Sequence, residues 1–174
     1  HTLRVTDVRK ETQDCVSIAL MPDDAEVTNF AFKAGQYLTL KAQIGGEEVR
    51  RSYSLCSAPS DGELRVAVKR VEQGKFSTWA NHELKEGSTL ESMAPNGKFV
   101  LEIQPTSKRK FIAFAAGSGI TPILSQIQEI LLSEPDSQFT LFYVNRETHS
   151  IIFREQLQEL KDEYLNRFRL FNIM

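Results

Sequence analysis

Cysteine is scarce in this chain, and neither copy stands where cysteine chemistry needs it. Cys15 and Cys56 lie far apart, form no Cys-x-x-Cys pair, and have no ligating neighbours among His1, His82 and His149. That pattern excludes a zinc or dithiol redox centre, and no metal ligand is assigned. The ordinary reading of both thiols is reduced and buried, as in a cytoplasmic protein. An excess of one charge is missing too. The formal net charge is -2, so nothing argues for a nucleic-acid partner. No run of about 18 apolar residues is present, which argues against membrane insertion. The start, His1-Thr2-Leu3-Arg4, has no signal-peptide pattern and no initiator Met, so residues upstream are expected to have been removed or left out. There is no internal repeat, no low-complexity segment, and no recognisable acid–base pair or nucleophilic triad. What remains is a chain of 174 residues, 41% hydrophobic, with enough apolar side chain to build a core.

The texture divides in two. Leu3 to Val8 and Cys15 to Leu20 alternate apolar and polar residues, as strands with one buried face do. Tyr37 to Ala42 follows Gly35, and Gly45-Gly46 reads as a hairpin turn into Val49 to Leu55. Leu64 to Val71 adds another strand, and a short helix is expected over Phe76 to Leu84. Short strands at short spacing predict a six-stranded antiparallel β-barrel over residues 1–105. The polar stretch Gln104 to Lys110 marks the boundary. Beyond it, over residues 106–174, Phe111 to Ala116 is almost wholly apolar, as in a parallel strand buried on both faces. Ile123, Leu124, Ile127, Ile130 and Leu131 form a helical stripe, and Phe139 to Val144 reads as the next buried strand. Phe153, Leu157, Leu160 and Tyr164 mark a second helix, and Phe168 to Ile173 a third strand. The order βαβαβ is the first half of a doubly wound nucleotide-binding domain. A sheet stopping at its third strand leaves an edge and faces to be covered, so a fragment of a longer protein is expected.

Gly117-Ser118-Gly119-Ile120-Thr121-Pro122 joins the apolar strand to the helix. Glycines there let the backbone approach a pyrophosphate, and the helix start presents free N–H groups to it. Thr121 reads as the cap and Pro122 as a first-turn residue. Pro122 replaces the third glycine of the dinucleotide fingerprint, and a tight turn without ligand is the alternative. The second strand ends in Asn145-Arg146-Glu147. Arg146, with Arg154 as a second cation, suits a 2′-phosphate and therefore NADPH; Glu147 keeps NADH open.

Arg50-Arg51-Ser52-Tyr53-Ser54-Leu55 ends the fourth predicted strand, and taken alone Tyr53 is a strand aromatic and Arg51 a surface charge. Downstream come Val66 to Arg70 and then Gly74-Lys75-Phe76-Ser77, a glycine-led entry to the short helix. Arg-x-Tyr-Ser, Gly-x-x-Ser and Gly-x-Gly-x-Thr-Pro, in this order, resemble the ferredoxin–NADP reductase superfamily. Asn145-Arg146 with Ile152-Phe153-Arg154 resembles its oxygenase reductases. The resemblance implies a flavoprotein holding FAD and taking a hydride from NAD(P)H. Arg51 would contact the flavin pyrophosphate, Tyr53 would stack on the ring, Ser54 would sit near N5, and Ser52 lies in the same motif. The backbone of Ala67, Val68 and Lys69 would line the ring, and Lys75, Phe76 and Ser77 would hold the pyrophosphate. Gly117, Ser118 and Gly119 would cradle the nicotinamide nucleotide, with Pro122 in their motif and Thr121 between the two cofactors. Ser54, Tyr53 and Thr121 are thus the residues implied at the reacting centre.

The family's nicotinamide domain continues through further strands and a Cys-Gly-Pro-type motif that this chain lacks. In the oxygenase reductases a plant-type 2Fe-2S domain follows, and two cysteines cannot hold that cluster. The expected partners are therefore NAD(P)H and an iron–sulfur protein or oxygenase component as electron acceptor, with any 2Fe-2S centre in a missing C-terminal domain. Two rival readings share the motifs: a free flavin reductase and a non-catalytic flavin-binding electron-transfer subunit.

Overall fold

The computed structural model describes residues 1–174. Six strands make the first unit: β1 (Thr2–Thr12), β2 (Cys15–Pro22), β3 (Tyr37–Ile44), β4 (Glu47–Ser54), β5 (Leu64–Lys69) and β6 (Thr89–Ser92), with helix α1 (Lys75–His82) after β5. All pairings are antiparallel, in the order β4-β3-β6-β1-β2-β5. A bridge between Leu55 and Val66 joins the two ends and closes the expected barrel. Gly45 and Gly46 make the β3–β4 turn with φ of 59° and 81°, the left-handed pair that matches strand twist in a two-residue hairpin. β6 escaped the sequence reading, because four residues are too few to display a period. The alternating positions Leu3, Val5, Ile18, Leu38, Leu40, Val66 and Val68 fill the barrel, and Phe76 of α1 joins them.

The second unit is β7 (Lys110–Ala116), α2 (Ile120–Ser133), β8 (Gln138–Val144), α3 (Arg154–Glu163) and β9 (Phe168–Ile173). The strands are parallel in the order β7-β8-β9, which is the predicted βαβαβ half-domain. The α2 stripe is buried against Phe139, Leu141, Tyr143, Leu157 and Phe168. Each such aliphatic side chain contributes about 1.5–3 kcal/mol on leaving water. Cys15, Cys56 and Ala67 of the barrel belong to this same core, so the two units share apolar packing at their seam. Neither cysteine is paired. Burial pushes the Cys15 thiol up to about 12 and raises that of Cys56 as well, which keeps both protonated and unreactive.

Three expectations need correction. β7 is covered on one face only, because both helices pack on the same side of the sheet. Phe114 is 73% exposed, and it stacks on Phe142, which stacks on Phe171, at ring separations of 5.0 Å. An apolar run has no period and so does not say how many faces are covered. Thr121 is not the cap. A 3-10 turn over Gly117–Gly119 runs straight into α2, Gly119 takes the cap position, and Thr121 donates its hydroxyl to the Ser118 carbonyl from inside the first turn. The second helix is shorter than its apolar spacing, with Phe153 and Tyr164 as its two caps.

The segment between the units is pinned by a buried carboxylate. Glu134, at the end of α2, has no solvent exposure. It accepts hydrogen bonds from the Gln104 amide at 2.8 Å, the Ser137 hydroxyl at 2.7 Å and Arg109 Nε at 3.1 Å, with Arg109 Nη2 completing a fork. Arg109 also donates to the Glu102 carbonyl, and Arg167 donates to the carbonyls of Leu131 and Glu134 that end the helix. Burial works against the charged carboxylate, but these donors outweigh it and hold Glu134 below the ordinary carboxylate range.

Candidate functional site

The candidate flavin residues gather where β4, β5 and α1 meet. Leu38 faces Tyr53 across the β3–β4 ladder, and strand alternation puts Tyr53 on the same face as the exposed Arg51 and opposite the exposed Ser52. The Tyr53 ring is half-buried and lies 5.5 Å from Phe76, which in turn meets Trp79 edge-on at 5.5 Å. Burial pushes the Tyr53 phenol up to about 12, so it stays neutral at physiological pH. Arg51 reaches only the neighbouring Arg50 carbonyl and makes no ion pair. Helix α1 starts at Gly74 with no side-chain cap, leaving first-turn N–H groups unclaimed. A Cβ at Gly74 would sit 2.4 Å from Ser77 Oγ, so the tight entry requires glycine.

Not every predicted flavin contact is open to a ligand through its side chain. Phe76 and Val68 point into the barrel core, so only their main chain is available. The Ser77 hydroxyl is committed, accepting from the Val71 amide and donating to the Gly74 carbonyl. Lys75 pairs with Glu47, and Lys69 lies 3.6 Å from Asp14. Ala67 is buried in the seam. The donor set still fits a flavin dinucleotide: an aromatic wall for the ring, with a free guanidinium and uncapped helix amides for the pyrophosphate.

The nucleotide residues lie at the carboxyl end of the parallel sheet. Ser118 and Gly119 are exposed, Gly117 has φ of 49°, and a Cβ at Gly117 or Gly119 would meet nothing within 4 Å. Open space above a glycine turn at a helix start is what a bulky phosphate needs. Tyr143 Oη supports the turn from below by donating to the Gly117 carbonyl at 3.0 Å. Asn145 is 6% exposed, and neither its Nδ2 nor its Oδ1 has a hydrogen-bond partner. An orphaned buried amide costs about 1–3 kcal/mol, a sign that the group serves a ligand. Arg146 and Arg154 are exposed and make no ion pair, while Glu147 lies 3.0 Å from His149.

The two groups of residues face one seam. The connection after β4, which continues directly from Tyr53-Ser54, docks on α2. Ser125 Oγ donates to the Ser57 carbonyl at 2.6 Å, and Gln128 Nε2 to that of Cys56 at 3.3 Å. Thr121 is buried one turn before Ser125, on the same helix face. The Gly117–Gly119 turn itself packs against β5. Near Phe99, Gln126 Nε2 donates to the Phe99 carbonyl at 2.9 Å. Sequence reasoning missed Ser57, Ser125, Gln126 and Gln128. The available signal was polar residues interrupting an otherwise aliphatic helix.

Two family models match the chain: an oxidoreductase FAD-binding domain over residues 3–101 and an oxidoreductase NAD-binding domain over residues 113–174. The chain is 45% identical to one component of the 1,2-phenylacetyl-CoA epoxidase of Escherichia coli K12, over 99% of its own length and 49% of that protein. It is 36% identical to the ferredoxin reductase component of the 3-ketosteroid-9-alpha-monooxygenase of Mycobacterium tuberculosis, over 98% and 49%. Among solved structures, phthalate dioxygenase reductase superposes with a TM-score of 0.79 at 27% identity, covering 99% of this chain and 51% of that one. The chain thus spans about half the length of these curated relatives.

Proposed function

The chain belongs to the ferredoxin–NADP reductase family of FAD- and NAD-binding oxidoreductases, and from that premise we propose that it is the front part of an NAD(P)H-dependent flavoprotein reductase. The observation that carries this is the seam: Ser57, three residues beyond the aromatic strand end, is hydrogen-bonded to the helix whose start is the glycine turn. Hydride transfer requires the two rings face to face with water excluded, and protein supplies that orientation. Bound FAD would accept the electron pair and release electrons singly.

In this reading Tyr53 stacks on the flavin ring, Ser54 lies at its reacting edge, and Arg51 with the amides of residues 75–77 takes the flavin pyrophosphate. The main chain of residues 67–69 lines the ring. Gly117, Ser118 and Gly119 take the pyrophosphate of the nicotinamide nucleotide, and Thr121 separates the two rings. Asn145 holds the ribose side, and Arg146 and Arg154 favour the 2′-phosphate of NADPH. The flavin domain runs over residues 1–105 and the nucleotide domain over residues 106–174. The relative named as the ferredoxin reductase component of a monooxygenase, together with the epoxidase component, supports an iron–sulfur protein or oxygenase component as the acceptor. Two buried, unpaired thiols fit a cytoplasmic location. No helix is long and apolar enough to cross a membrane. The test is an absorbance spectrum of the purified holoprotein before and after anaerobic NADPH. A flavin spectrum that bleaches is expected; a colourless protein, or a flavin that NADPH leaves oxidised, would refute the assignment.

A further inference from the structure

Ser125 is a fully buried hydroxyl in a helix whose other buried positions are mostly aliphatic. It donates at 2.6 Å to the Ser57 carbonyl, in the connection that leaves β4 three residues after Ser54. Ser57 is itself locked: its hydroxyl accepts from the Arg65 amide at 3.0 Å and donates to the Glu63 carbonyl at 2.7 Å. Arg65, 7% exposed at its side chain, is held in turn by Asp7, Glu63 and Ser17. This hydrogen bond, the only one of the set that is fully buried, references a rigid corner of the barrel to a rigid helix, with Gln128 to the Cys56 carbonyl and Ser60 to Glu129 as part-buried or exposed companions. The helix starts at the glycine turn, and the barrel corner starts at Tyr53-Ser54.

We propose that Ser125 is the positioning residue that sets the distance between the nicotinamide and flavin sites, acting through Ser57. The inference rests on the reductase reading above. Gln128, which donates to the Cys56 carbonyl and is braced by Gln156 at 2.5 Å, is the outer and weaker member of the same contact. The neighbouring carbonyls of residues 56 and 57 are thus gripped from successive turns of one helix face. Apolar packing alone tolerates sliding along the seam, whereas a directional bond of 2.6 Å does not. The sensitivity is high, since a displacement of about 1 Å between reacting groups costs on the order of a hundredfold in rate.

The test compares wild type, Ser125→Ala, Ser125→Thr and Gln128→Ala as flavin-loaded holoproteins. Ser125→Ala is expected to keep its flavin and its KM for NADPH within about twofold while the limiting rate of flavin reduction falls by at least about tenfold. Ser125→Thr, which retains the hydroxyl, is expected to recover most of that rate, and Gln128→Ala to show a smaller loss. A second readout needs no turnover. NADP+ is expected to slow amide hydrogen exchange over residues 57–61 in wild type and not in Ser125→Ala. A Ser125→Ala protein with wild-type limiting rate and wild-type protection would overturn the positioning role. Should Ser125→Ala lose flavin or fail to fold, Gln128→Ala decides, and an unchanged rate and exchange pattern in that variant overturns the role equally. Failure of wild type to be reduced by NADPH at all would instead sink the reductase reading, and the positioning role with it.

Discussion

Replacing Glu134 by alanine should unfasten the segment between the two domains, and the structure sets the size of the effect. The carboxylate has no exposure and accepts from the Gln104 amide, the Ser137 hydroxyl and two nitrogens of Arg109. Alanine would strand the Gln104 amide and Arg109 Nε, while the Ser137 hydroxyl keeps the Ser107 carbonyl at 3.2 Å. Arg109 retains the Glu102 carbonyl and is 28% exposed at its side chain, so its charge is partly relieved by water. Breaking a buried pair by removing one partner costs about 3–5 kcal/mol, and the relief at Arg109 places this case at about 3. For a chain of this size that is a fall in Tm of roughly 6–12 °C. The pH dependence follows from the sign of the shift. Glu134 is held below its unfolded value, so the wild-type advantage is fully present above about pH 4.5 and is lost as pH falls through the folded value. Thermal melts by circular dichroism at pH 7, 5 and 3.5, on wild type and Glu134→Ala, measure this directly. The gap in Tm should be equal at the two higher values and shrink at the lowest. A gap under about 1 kcal/mol at pH 7, or one that persists undiminished at pH 3.5, would refute the argument.

The remaining predictions concern the site and its seam. Gly35→Ala should destabilise by more than about 3 kcal/mol and lower soluble yield, because a Cβ there sits 1.8 Å from the Phe99 carbonyl oxygen at φ of 101°; a wild-type melt would contradict it. Tyr53→Ala should weaken flavin retention about tenfold, the equivalent of about 1.4 kcal/mol of lost stacking, and Arg51→Ala should weaken it too; full flavin content with unchanged affinity in both counts against the assignment. Asn145→Ala should leave nucleotide-free stability unchanged or raised by up to about 1 kcal/mol, since the amide is already orphaned, while NADPH affinity drops about fivefold or more by titration. Loss of stability without loss of affinity would mean that Asn145 serves the core.

Much of the fold was legible because it is written in local patterns. Gly45-Gly46 announced a hairpin through backbone freedom alone, and the structure has the turn there, with Ile44 paired to Glu47. The βαβαβ order followed from apolar runs punctuated by a helical stripe, and β9 falls at Phe168–Ile173 as read. The glycine turn, Tyr53 and Arg51 were visible as motifs. Less legible was anything that depends on what a residue meets from far along the chain. Phe114 reads like a buried strand residue, yet its face of the sheet is open. Thr121 reads like a cap, yet the 3-10 turn before it takes over that role.

By itself, then, the amino-acid order determined the two-part architecture, the glycine turns and the types of residue offered to flavin and nucleotide. These follow from periods of two and 3.6 residues and from the φ freedom of glycine, all of which act within a few positions. Only the tertiary structure decided that Ser125 meets Ser57 across 68 residues, that Glu134 clasps Arg109 and Gln104, and that Asn145 is buried without a partner. Contacts of that kind depend on where the chain returns in space. Local periodicity carries no record of it.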